Sequence, residues 1–182
     1  MRIRRLAALA LAVVSLPLTA TGVAHADTAE ALAACRRSAA SDFSDINVIV
    51  QGNGGGSVPR GADPGNVLRT GDVFLLLPSF YAKVKIDSWL WGPSYGENGN
   101  GVRAANDFPY PGLSQYSAVL RFNNNPTGWV GAPAQATAFA QCTVWGGPRV
   151  RLLFGVNDSK LSDNSGYWWF SYYQYMHDRT HR

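Results

Sequence analysis

The stretch Asn157-Asp158-Ser159-Lys160-Leu161-Ser162-Asp163-Asn164-Ser165-Gly166 gathers two carboxylates, two side-chain amides and several hydroxyls. Calcium is a hard cation that takes about six to eight oxygens from carboxylates, amides and main-chain carbonyls on a flexible loop, and this stretch could supply them. The D-x-D-x-D-G spacing of an EF-hand is absent. Asn, Asp, Ser and Gly are also the residues that turns require, so a polar hairpin connection between two strands is the competing reading.

The flanking segments must position that loop. On its N-terminal side Val150, Leu152, Phe154 and Val156 alternate with Arg149 and Arg151, the pattern of a half-buried strand. On its C-terminal side Tyr167 to Met176 is dense in aromatics, which favour a pleated surface. Ile46 to Val50, Val73 to Leu77 and Ala118 to Phe122 read as further strands. Ala136 to Trp145 also alternates, with Ala138, Ala140, Cys142 and Val144 on one face. Asp27-Thr28-Ala29-Glu30 has capping-box spacing ahead of the Ala-rich run Ala29 to Ala40, which predicts a short helix. Gln51 to Ser57 is a glycine-rich loop that leads to Pro59 and not to a helix, which argues against a phosphate cradle. The expectation is one all-β domain of sandwich or jelly-roll type, residues 46–176. An N-terminal helical segment, 27–45, precedes it, and a polar tail, 177–182, follows.

Arg2, Arg4 and Arg5 precede the apolar stretch Leu6 to Leu18, and Ala24-His25-Ala26 is a small-residue cleavage signal, so residues 1–26 read as a secretory signal peptide. The apolar stretch is too short to span a bilayer, and no transmembrane segment is expected. The whole chain carries a formal charge of +4. Cleavage would remove three of its sixteen basic side chains and leave the rest scattered among twelve acids. That balance excludes the basic stripe that nucleic-acid binding needs. In an oxidising, extracellular compartment the two cysteines, Cys35 and Cys142, are expected to form one structural disulfide.

Gly71-Asp72-Val73, then Trp91-Gly92-Pro93, then Arg151 to Asp158 ending in Asp163-Asn164-Ser165-Gly166 resembles the family of calcium-dependent galactophilic lectins and its galactose-binding-like β-sandwich. Order and approximate spacing hold from about Val48 to Tyr173. The resemblance implies a jelly-roll sandwich in which a calcium ion bridges the protein to hydroxyls of a galactoside. It implies Asp158, Asp163 and Asn164 as side-chain ligands. It also implies main-chain carbonyls from Ser162 and from one residue near Lys85 to Asp87. Asp158 and Asp163 would also touch the sugar, and Trp91 and Tyr95 would lie beside the metal loop. Aromatic faces stack on sugar rings, although core packing is the common fate of a tryptophan.

Catalysis finds less support in the residues. Among the residues after position 26, His177 and His181 are the only histidines, and both fall in the expected tail. A nucleophilic triad needs a histidine held by packing, and zinc needs His or Cys ligands. A glycosidase needs two carboxylates across a cleft. Glu97 with Asp107 or Asp158 could be proposed, without any spacing that picks them out. The chain is therefore expected to be a secreted, calcium-dependent, glycan-binding protein and not an enzyme. The alternatives are a non-catalytic protein-interaction or cell-surface module on the same sandwich, or a small secreted glycoside hydrolase. Homo-oligomerisation is left open.

Overall fold

The computed structural model describes residues 23–54, 67–87, 91–125 and 128–179. Strands β1 (Phe43–Gln51), β3 (Val73–Pro78), β4 (Val84–Lys85), β5 (Ser94–Tyr95), β8 (Thr143–Val144) and β10 (Ser165–Tyr175) form a six-stranded sheet. Its order is β5-β4-β10-β3-β8, with β1 also paired to β10. Strands β2 (Val67–Leu68), β6 (Ala118–Asn124), β7 (Gly128–Gln135) and β9 (Val150–Val156) form a four-stranded sheet in the order β2-β9-β6-β7. Every pairing is antiparallel.

Period-two alternation explains the core. Val48, Val50, Phe74, Leu76, Trp168, Phe170 and Tyr172 of the larger sheet and Leu120, Phe122, Leu152, Phe154 and Val156 of the smaller one share one buried cluster. Burying side chains of this kind stabilises by about 1.5–3 kcal/mol each. β10 is the hub: its Phe170–Tyr175 segment pairs with β3, Ser165–Gly166 with β4, and Tyr167–Gln174 with β1 on the other side. Gly166 has φ 80°, and a Cβ there would lie 2.5 Å from the Lys83 carbonyl, so glycine lets β4 close against the start of β10.

Helix α1 (Val23–Arg36) covers part of the outer face of the larger sheet, where Ala31, Ala34 and Cys35 pack on Val73 and Tyr175. The Cys35–Cys142 disulfide links it to the segment before β8 across 107 residues of chain. Residues 1–22 of the expected signal peptide lie outside the described residues, as do Gly55 to Ser57 of the glycine-rich loop, Trp89 and His181. No helix among the described residues is long and apolar enough to cross a membrane.

Four expectations change. The helix starts at Val23, ahead of the Asp27–Glu30 capping box, and ends at Arg36 rather than Ala40. Ala136 to Trp145 is not a strand: Ala136–Phe139 is a 3-10 turn, and only Thr143–Val144 pairs. Phe139 instead packs against Phe74 and Phe122, and Trp145 stacks on Phe122 with centroids 4.4 Å apart. Those aromatic contacts outweigh the alternation. β7 was not anticipated, because Gly128, Gly131 and Pro133 hide it; it is an edge strand, where proline costs no ladder bond. The tail is docked as far as Arg179. His177 donates its main-chain N–H to Asp72 Oδ1 at 3.1 Å and places Nδ1 2.9 Å from the same oxygen.

Opening the Cys35–Cys142 bridge should lower stability by about 2–5 kcal/mol while the sheets persist, because it frees a long loop in the unfolded chain. Chemical denaturation with and without reductant, followed by circular dichroism, checks this.

Candidate functional site

β9 and β10 do not pair with each other, so the Asn157–Asn164 connection is not a hairpin. It is an arch that carries the chain from one sheet to the other. Asn157, fully buried, anchors its first end. Its Oδ1 accepts the Tyr110 N–H at 3.0 Å, and its Nδ2 donates to the carbonyls of Tyr110 and Ser114 at 3.1 and 2.9 Å. The Tyr116 N–H donates to the Asn157 carbonyl at 2.7 Å. These bonds fasten the long 96–117 segment beside the arch.

Asp158 comes next and is 4% exposed. Its Oδ1 accepts the Lys160 N–H at 3.0 Å, and its Oδ2 accepts Asn164 Nδ2 at 2.6 Å. Asn164, at the foot of the Leu161–Asp163 3-10 turn, is 7% exposed and donates a second time to the Gly52 carbonyl at 3.1 Å. Its Oδ1 is buried and has no hydrogen-bond partner. A buried amide oxygen without a donor costs roughly 1–3 kcal/mol, which makes it the one polar atom here that asks for a partner.

Asp163 lies on the same turn, with its carboxylate 2.5 Å from Lys160 Nζ. Asp163, Asp87 and Asp158 all act on that ammonium, and the hydrogen bond to Asp163, then its charge, raise the Lys160 pKa. The structure thus brings Asp158 and Asn164 into contact and joins Asp163 to them through Lys160, whose main-chain N–H meets Asp158 and whose ammonium meets Asp163. Ser162 is the exposed middle residue of the turn. Lys85 stands opposite Ser165 in the β4–β10 ladder. Just beyond it the Ile86 and Asp87 carbonyls crowd Gly92, where a Cβ would sit 2.3 and 2.2 Å from them.

Trp91 lies in the connection between the paired strands β4 and β5 and is 88% exposed. Tyr95 is half-buried and its ring is engaged: it stacks on Tyr116 with centroids 5.4 Å apart and 4° between planes. Its carbonyl accepts the Trp168 indole N–H at 3.0 Å. Phe108 meets the edge of Tyr116 at 5.8 Å. Of the described tryptophans only Trp168 is buried, so the expectation that a given tryptophan belongs to the core fails for Trp129 and Trp169, while Trp91, for which core and site were both open, is exposed.

Tyr116 is the residue that sequence reasoning missed. It has φ 60°, a left-handed conformation that a tyrosine adopts only when its surroundings hold it there. Burial first, then the charge of Asp158, raise its phenol above the ordinary value. No local pattern marks Tyr116; only the pairing of its main chain with Asn157 brings it to the arch.

A second polar centre lies at the other end of the larger sheet. Asp72, 2% exposed, accepts N–H groups from Arg69, Gln174 and His177. A His–Asp pair is therefore held in the body of the protein, contrary to the expectation of a frayed tail. Among the described residues, no cluster of three or more His, Cys, Asp or Glu side chains is arranged to hold a metal. The oxygen set at the arch mixes carboxylate, amide and carbonyl groups, a chemistry that such a cluster does not describe. No family model, no curated protein and no solved structure matches the chain.

Replacing Asp158 by Asn removes the second cause of the raised Tyr116 phenol. Its titration should then move down toward the ordinary tyrosine value, read as the phenolate absorbance difference against the Tyr116→Phe variant. An unmoved titration would place the Asp158 charge elsewhere.

Proposed function

We propose that this chain is a secreted, non-catalytic, calcium-dependent carbohydrate-binding protein built on a jelly-roll β-sandwich. The observation that carries the reading is the Asn164 amide, whose Nδ2 meets the buried Asp158 carboxylate while its own Oδ1 is left without a partner. Amide oxygen and nitrogen are nearly isosteric. A half-turn of the Asn164 amide would therefore set an oxygen where Nδ2 now meets both the Asp158 carboxylate and the Gly52 carbonyl, and oxygens facing one another call for a cation between them. Asp158, Asp163 and Asn164 would hold the ion, with carbonyls from Ser162 and from one of residues 85–87. A bound calcium ion supplies the charge that orders vicinal hydroxyls of a sugar, a galactoside being the first to test.

The protein's own groups do the rest. Asn157 fixes the first end of the arch, and the ladder of β10 with β4 fixes the second. Lys160 neutralises Asp163 in the absence of another cation. Trp91 offers an open ring face to a sugar, whereas Tyr95, covered by Tyr116, contributes through packing. The Cys35–Cys142 bridge supports secretion, since such bonds persist in oxidising compartments.

A specific observation favours a second reading, a protein-interaction module. Ile46, Ile49, Leu77, Tyr167 and Trp169 are exposed on the outer face of the larger sheet, with the Trp169 indole N–H tied to the Ile46 carbonyl.

Calcium should raise the melting temperature and chelator should reverse it, the gain being about 2.7 kcal/mol at an ion concentration 100 times Kd. The Asp158→Ala/Asp163→Ala double variant should lose both this shift and retention on immobilised galactoside while its circular dichroism stays β-rich. No thermal shift in the unaltered protein would remove the mechanism. Lys160→Gln should bind calcium severalfold more tightly by isothermal titration, because the tethered ammonium no longer competes for Asp163.

A further inference from the structure

A separate polar site lies at the far end of β9, roughly 20 Å along the strand from the arch. Val150 and Leu152 face the core, so Arg151 and Leu153 project from the opposite face of the smaller sheet. Across the ladder Arg151 stands beside Asn123, Leu153 beside Arg121, and Asn123 beside Trp129. The Arg121 guanidinium lies 3.5 Å above the Trp129 ring and 5.8 Å from the Tyr110 ring. This stacking holds one arginine flat against an aromatic floor.

Next to it is a cavity of about 420 Å³ lined by Asn123, Asn124, Asn125, Arg149, Arg151 and Leu153 with Val67 and Val150. Among the described residues, no carboxylate lines it. The polar side chains among its described lining residues are guanidinium and carboxamide, and none of the three lysines (Lys83, Lys85, Lys160) is among them. That choice matters, because a planar guanidinium presents paired N–H donors to a carboxylate or sulfate, whereas an ammonium acts as a point charge. Arg149, Arg151 and Asn124 each already engage another group, and five donors per guanidinium leave others for a ligand.

We propose that this cavity binds the oxyanion groups, sulfate or carboxylate, of an acidic polysaccharide. The concentrated pair of arginines recognises the anion. The three asparagine amides suit neighbouring hydroxyls, which can both donate to and accept from them. A local cavity with amides suits a substituted sugar better than a phosphate backbone, which would ask for an extended basic track. The site needs no metal and is independent of the arch.

The test uses the full chain in chelator at low salt, with heparin and polygalacturonate as the charged probes and dextran as the neutral one. Binding to at least one charged probe, none to dextran, and release by added salt are expected. Arg149→Gln/Arg151→Gln should weaken binding about tenfold or more. Asn125→Asp, which adds a carboxylate at the exposed rim and keeps both arginines, should weaken it in the same sense. Arg36→Gln/Arg37→Gln, an equal loss of charge on α1, should leave it unchanged. An equal loss in the α1 variant would reduce the effect to general electrostatics and overturn the proposal. Tighter binding to single-stranded DNA, or full competition by millimolar inorganic sulfate, would overturn the choice of polysaccharide.

Discussion

A chain that passes from one β-sheet to another must carry main-chain and side-chain polar groups past the rim of an apolar core, and each such group needs a partner there. Between Val156 and Ser165 that requirement is met by three side chains in succession. Asn157 closes on Tyr110 and Ser114, Asp158 closes on Lys160 and Asn164, and Asn164 reaches back to Gly52 beyond β1. The two sheets, the long 96–117 segment and the end of β1 all meet at this crossing. One oxygen, Asn164 Oδ1, is left without a donor. An almost complete network concentrates its remaining demand on the single atom it leaves open.

The opposite end of the larger sheet shows the same physics brought to completion. Asp72 is as buried as Asp158, yet its two oxygens receive Arg69, Gln174 and His177 donors, and the Gln174 Nε2 also reaches the Val67 carbonyl. Helix α1 and the disulfide close the adjoining face. That end reads as a structural lock. Asp87, Asp158 and Asp163 act together on Lys160 at the arch, while Arg149 and Arg151 line a cavity with no carboxylate among its described residues.

The strands that bury one side chain in two were readable from the residues alone. Val150–Val156 appears as expected, and Val73, Ala118 and the aromatic run after Gly166 begin or fill strands close to their anticipated limits. The disulfide was readable because two cysteines allow one pairing. The elements that escaped are those whose local signal points the wrong way. Gly128, Gly131 and Pro133 conceal β7, and the alternation after Ala136 is overridden by Phe139 and Trp145 turning into the aromatic cluster around Phe122.

The sequence by itself determined the β class, the single bridge and the oxygen-rich character of the segment from Asn157 to Gly166, because alternation, cysteine number and side-chain type are properties of the chain that no partner can alter. Only the tertiary structure decided that this segment is an arch between sheets, that Tyr116 and Gly52 attend it, and that His177 belongs to the body of the protein. Those facts rest on contacts between residues from about 40 to more than 100 positions apart. Which distant groups meet depends on strand order and on which face each strand buries, and both are set by packing of the whole core.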